Sequence, residues 1–185
     1  MEPEHPEPAE IVAGRLQLRP FVPGDADAVY AACQDPQIHR WTTVPVPYER
    51  HHAERYVADN SVAGWEAGAG RSYAVTDATT GELLGTVGLV GYDAAEGTAE
   101  LGFWVAQGAR GRGVAAQASA ALARWCFGAL GVARLQWLAE VGNEASRRAA
   151  ERAGFTVEGV LRDRVLARDG SRADAWIGSL LPRDL

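Results

Sequence analysis

The sequence has no surplus of positive charge: over 185 residues the formal net charge is −6, with an isoelectric point near 5.2. A nucleic-acid surface declares itself as a basic stripe that neutralises phosphates, so that class of partner is excluded. Cysteine is scarce as well. Only Cys33 and Cys126 occur, far apart and outside any metal-type spacing, so the chain reads as reduced and intracellular, with two buried thiols and no disulfide frame. His39, His51 and His52 lack metal-ligand spacing with other donors, and no metal is expected. There is no long hydrophobic run: the most apolar region, 114–133, is interrupted by Gln117, Arg124 and two glycines, too polar for a lipid-facing span of about 20 residues. The opening MEPEHPEPAE has neither a basic start nor an apolar stretch, which excludes a secretory signal and reads as an acidic, disordered tail over residues 1–13. The expected location is the cytoplasm, without a membrane partner.

What is present is an apolar content of 47%, enough to bury one respectable core, in a chain short for two domains of about 100 to 200 residues each. A single domain over 14–185 is expected. A short strand at 16–19 precedes a helix signalled by Pro23-Gly24-Asp25, with Ala26, Val29, Tyr30 and Cys33 on one face and a stop before Asp35-Pro36. A second helix covers about 49–61, with Ala53, Tyr56 and Val57 inward. Strands at 73–76, 83–92 and 98–105 follow, separated by turn chemistry at 77–81 and 93–97, as an antiparallel meander. The period then changes. Val114, Ala118, Ala121, Leu122 and Trp125 share a helical face, and Leu135, Trp137, Ala139 and Val141 alternate as a strand. Strand, helix, strand within this length is a βαβ unit with a parallel pair. A helix over 144–153 closed by Gly154, and strands at 155–161 and 173–180, complete the chain.

The chemistry concentrates at GARGRGVA, which leaves a strand and opens the crossover helix. In α/β sheets ligands bind at that end of the strands. Glycines at 108, 111 and 113 remove the Cβ atoms that would hold a ligand away, and the N–H groups of the first helical turn with the positive helix end form an anion cradle. Arg110 and Arg112 add charge for phosphate oxygens. A flexible surface loop before a helix would share the glycines. A P-loop is excluded because no Gly-Lys-Ser or Gly-Lys-Thr follows, and a dinucleotide fingerprint fails because no acidic ribose ligand is placed after the loop.

In order and spacing, LQLRP, DPQIHRW, GELLGTVGL, AELGFWV, ARGRGVAAQ and GNEASRRAAERAGFTVEG, between Leu16 and Leu180, resemble the GNAT superfamily of acyl-CoA N-acyltransferases and its RimJ/RimL-like branch. The family signature, Arg or Gln, two residues, Gly, one residue, Gly or Ala, is matched by Arg110, Gly113 and Ala115. The resemblance implies an α+β fold with an α/β core: a mixed, largely antiparallel twisted sheet whose central parallel pair splays to hold CoA, flanked by about four helices. It also implies that the N–H groups of Gly111, Arg112, Gly113, Val114 and Ala115 hold the acetyl-CoA pyrophosphate. Pantetheine would lie between the strand ending at Trp104 and Val105 and the strand ending at Val141. A homodimer is implied by analogy only.

Acetyl transfer to an amine needs a neutral nitrogen, a donor for the thioester oxyanion and a proton for the thiolate. Glu100 is a carboxylate between apolar neighbours on a strand. It matches the position of a base in some GNAT enzymes; the alternative is a structural carboxylate held by a neighbouring loop or helix. Asn143 and Ser146 follow the next parallel strand, where Asn143 reads as an N-cap. The resemblance has Asn143 contacting pantetheine and Ser146 protonating the thiolate. Ala150 stands where many GNAT enzymes have a tyrosine acid, so that role moves to Ser146, to water, or is dispensed with. An α-amine with pKa near ~7.8 costs about 1 kcal/mol to deprotonate at pH 7, a lysine near ~10.4 roughly 4.6. A modest base suits an α-amine, which favours a protein N-terminus, while a weakly basic amine on a metabolite or antibiotic satisfies the same energetics. Trp41, Pro45, Pro47, Tyr48 and Trp65 concentrate aromatic and stiff residues where GNAT folds recognise the acceptor. A degenerate, non-catalytic CoA sensor is the reading from a different class.

Overall fold

The computed structural model describes residues 8–68 and 70–185. Strands β1 (Ile11–Ala13), β2 (Leu16–Arg19), β3 (Ser72–Asp77), β4 (Leu83–Asp93), β5 (Thr98–Val105), β6 (Arg134–Glu140), β7 (Thr156–Leu166) and β8 (Arg172–Leu180) form one sheet in the order β1-β2-β3-β4-β5-β6-β8-β7. All neighbours are antiparallel except β5 and β6. Helices α1 (Ala26–Ala32), α2 (Pro36–Trp41), α3 (Arg50–Asp59) and α4 (Val62–Glu66) lie between β2 and β3; α5 (Val114–Ala129) crosses from β5 to β6, and α6 (Glu144–Ala153) follows β6.

Alternation along the strands builds a core on each face. Tyr73, Val75, Leu101, Leu135 and Trp137 join Ala118, Leu122 and Cys126 of α5 in one cluster; Ala74 turns the other way, to Phe21, Val29, Cys33, Ala53 and Val57 of the α1 and α3 layer. Truncating a leucine such as Leu122, fully buried at 0% exposure, would cost about 2 to 5 kcal/mol. Turns are set by side chains: Asp77 accepts from the N–H groups of Thr79 and Thr80, and Asp93 from those of Ala95 and Glu96. Asn143 caps α6 by accepting from the Ser146 N–H at 3.2 Å, and Gly154 ends it at φ +106, a conformation glycine takes without strain.

Two expectations are corrected. Among the described residues the sheet is flanked by six α-helices rather than about four. Asp35 starts α2 by accepting from the Gln37 N–H, with Pro36 at the first helical position, where its missing N–H costs nothing. Ser61 breaks the segment after β2 a second time by capping α4 through the Gly64 N–H. The region to residue 13 is also more than a tail: Ile11 pairs with Leu18 and Ala13 with Leu16, through a two-residue hairpin loop with Gly14 at φ +61. The tail reading of 1–7 falls outside the described residues.

Candidate active site

At its carboxyl end the parallel pair comes apart. β5 and β6 are matched from Thr98↔Arg134 to Leu101↔Trp137 and no further, although they run on to Val105 and Glu140. Each keeps its outer neighbour throughout: Val105 faces Gly85 on β4, and Glu140 faces Ala175 on β8. The inner edges of 102–105 and 138–140 are thus left without a strand partner, and such an edge offers backbone donors and acceptors to an extended ligand. The Trp104 and Val105 side chains pack against the two cores, leaving the backbone to face the gap.

Residues 107–115 form one rim. After a 3-10 turn at Gln107–Ala109, Gly111 and Gly113 take φ +75 and +77 and α5 begins at Val114. A residue with a Cβ would carry about 1 to 2 kcal/mol of strain at either position. No side chain caps α5 at Gly113, so its first-turn N–H groups point outward with the positive end of a long helix dipole behind them. A Cβ at Gly111 would meet nothing within 4 Å, and one at Gly113 only Gln117 Nε2 at 3.6 Å, so the space in front is open to a ligand. Val114 is buried beneath it, Ala115 is half-buried and Arg112 is exposed. Arg110 is engaged elsewhere: its Nε donates to the Val105 carbonyl at 3.2 Å and its Nη2 lies 2.5 Å from Asp35 Oδ2. The guanidinium thus fastens the cradle to the start of α2, an interaction its place in the motif did not disclose.

On the opposite rim, the Asn143 cap holds the first turn of α6 and with it Ser146. The Trp137 indole N–H donates to Ser146 Oγ at 3.1 Å, which occupies an acceptor site on the hydroxyl and leaves its proton free to donate elsewhere. Trp137 sits at the last matched pair of the fork, buried at 1% exposure. Sequence periodicity placed it on a strand, and its contact to Ser146 joins β6 to α6 in a way that no local pattern shows.

Glu100 lies on β5 in line with Gly102 and Trp104, on the face turned to the α1 and α3 layer, and is half-buried. Burial pushes its carboxyl above the ordinary carboxylate range, and the charge of Arg164 on β7 opposes the shift. Arg164 comes from a bulge: register between β7 and β8 breaks between Leu161 and Val165, where Asp163 has φ +52. The far wall is tied together by arginines. Arg40 of α2 forms a two-pronged pair with Glu140, at 2.5 and 2.9 Å, and Arg168 of the β7–β8 loop donates to the carbonyls of His39, Thr42 and Val44. Trp41 stacks under Arg40, whose guanidinium carbon is 4.0 Å from the ring centroid. Tyr48 and Trp65, by contrast, are core residues at 6% exposure. Among the described residues no cluster of three or more His, Cys, Asp or Glu could hold a metal, and no helix is long and apolar enough to cross a membrane.

Residues 15–156 match the family model of the acetyltransferase (GNAT) domain. A Bacillus subtilis protein, YdaF, named as a candidate ribosomal N-acetyltransferase, is 36% identical over 104 residues, which span 56% of this chain and 56% of that relative. The structure of a candidate ribosomal-protein-serine acetyltransferase from Vibrio cholerae superposes with a TM-score of 0.78 at 25% identity, over 98% of this chain and 100% of that one. RimL, the ribosomal L7/L12 α-N-protein acetyltransferase, solved with coenzyme A, shares the fold at a TM-score of 0.81 and 18% identity, over 94% of this chain and 98% of that one. The family match extends over well more than half of the chain and over every element of the fork: this protein belongs to the GNAT family of acetyltransferases.

Proposed function

We propose that the protein transfers an acetyl group from acetyl-CoA to a primary amine, a protein or peptide N-terminal α-amine, in the cytoplasm. The observation that carries this reading is the fork: the β5–β6 ladder stops at Leu101↔Trp137, with an uncapped helix start on one side and Asn143 and Ser146 on the other. The pyrophosphate fits the N–H groups of 111–115, and pantetheine fits the two open strand edges as an extended ligand. Acetyl-CoA supplies the activated carbonyl. Glu100, directly or through a water, takes the proton that the acceptor ammonium must lose before its neutral amine attacks the thioester carbonyl; as the C–S bond breaks, Ser146, its oxygen already engaged by Trp137, delivers a proton to the departing thiolate.

The ribosomal names of the relatives support an N-terminal acceptor, and so does the energetic case for a modest base. The raised affinity of Glu100 for a proton matches an amine that needs only about 1 kcal/mol of help at pH 7. Thiol release measured with acetyl-CoA and a panel of peptides beginning with Ala or Ser, lysine-containing blocked peptides and small amines tests the reading. Turnover confined to free N-termini is expected. Turnover confined to small amines would move the acceptor to a metabolite or antibiotic, and CoA binding without turnover on any amine would make the protein a CoA sensor.

A further inference from the structure

The arginines around the fork differ in how they are used. Arg40 is paired with Glu140, Arg110 with Asp35, and Arg168 is spent on three carbonyls. Arg172 donates to the Asp163 carbonyl at 3.4 Å. The guanidinium groups of Arg162 and Arg164, both exposed, make no hydrogen bond or ion pair among the described residues, yet these residues line one open concavity of about 630 Å³ with Leu161 and Asp163. The bulge that presents them is held in place: the Asp163 N–H donates to Asp174 Oδ1 at 2.9 Å, and Arg168, four residues beyond Arg164, anchors the hairpin to the end of α2. Arg164 is also close enough for its charge to act on Glu100.

From this geometry we infer that Arg164, seconded by Arg162, is a specificity-determining residue that receives a carboxylate on the acceptor close to the reacting amine. The guanidinium fork matches a carboxylate in geometry and keeps its charge at every working pH. Asp163 lines the concavity with the two arginines, and Glu100 lies outside its lining but within reach of the Arg164 charge, so the arrangement suits a zwitterion, with an ammonium toward Glu100 and a carboxylate on the bulge. In an N-terminal acceptor that places an acidic side chain within the first residues of the peptide. The inference rests on the N-terminal reading above.

Two peptides that begin Ser-Asp and Ser-Asn and are otherwise identical test it, with CoA thiol release by the full chain as readout. The acidic peptide is expected to have a kcat/KM about tenfold higher, the size of one charge-assisted contact, mostly through KM. Arg164→Gln should erase the preference, bringing the ratio of kcat/KM for the acidic and amide peptides to about one, while any effect passed through Glu100 falls on both peptides alike; the double change with Arg162→Gln should do no less. Equal turnover of both peptides by the wild type, or an equal loss on both in Arg164→Gln, overturns this inference and leaves N-terminal acetylation standing. Acetylation of neither peptide overturns both.

Discussion

Burial holds the Glu100 carboxyl above the ordinary carboxylate range, and two measurable effects follow. The folded state binds the proton more tightly than the unfolded chain does. Ionising Glu100 therefore costs stability, progressively, as pH rises from the ordinary carboxylate value through the folded one. Glu100→Gln removes that cost: by calorimetry the variant should melt higher than wild type at neutral pH, with the gain vanishing below the ordinary carboxylate range. Its turnover should fall most near neutral pH and recover as pH approaches the pKa of the amine, which then loses its proton unaided, while CoA binding stays unchanged. A fully active variant would remove Glu100 from the mechanism. Trp137 and Ser146 form a unit at the same scale. Ser146→Ala should slow chemistry with little change in cofactor affinity, and Trp137→Phe should slow it less and add nothing further in the Ser146→Ala background. Additive losses in the double variant would separate the two.

Among the elements, α6 joins capping to chemistry. Asn143→Ala should cost about 0.5 to 2 kcal/mol of stability as a lost N-cap. It should also weaken CoA binding, whereas Asn143→Asp should restore the cap without restoring affinity in full; equal rescue of both would leave Asn143 a cap and nothing more. The elements nearest the site were legible in the sequence because their signals are local. The switch from period 2 at 98–105 to a helical face from Val114, and then to the alternation Leu135, Trp137, Ala139, gave β5, α5 and β6 directly. The Asn143 cap and the Gly154 terminus were equally local. Asp35-Pro36 is both a helix stop and a helix start, and only the second meaning yields α2. The pairing of Arg110 with Asp35, the Trp137 contact to Ser146 and the reach of Arg164 toward Glu100 join residues far apart in sequence. Local pattern holds no trace of them.

For the molecule as a whole, the donor chemistry meets a chain poorly supplied with competing nucleophiles. All 18 basic side chains are arginine, so the protein has no ε-amine of its own to acetylate. Its thiols are buried, and burial pushes Cys33 up to about 11 and Cys126 up to about 12. Neither should react with Ellman's reagent at pH 8 while the protein is folded; rapid labelling of either would show that the core opens. Thiol release therefore reads CoA without interference from the enzyme. The central claim is that residues 107–115 hold the CoA pyrophosphate, and titration calorimetry of acetyl-CoA into wild type and Gly113→Val tests it most directly. Gly113 has φ +77 and open space in front, so valine adds strain and a side chain where the phosphates would lie. Loss of measurable binding by a variant whose circular dichroism is unchanged is the predicted result. A folded Gly113→Val protein that binds acetyl-CoA as tightly as wild type would contradict it.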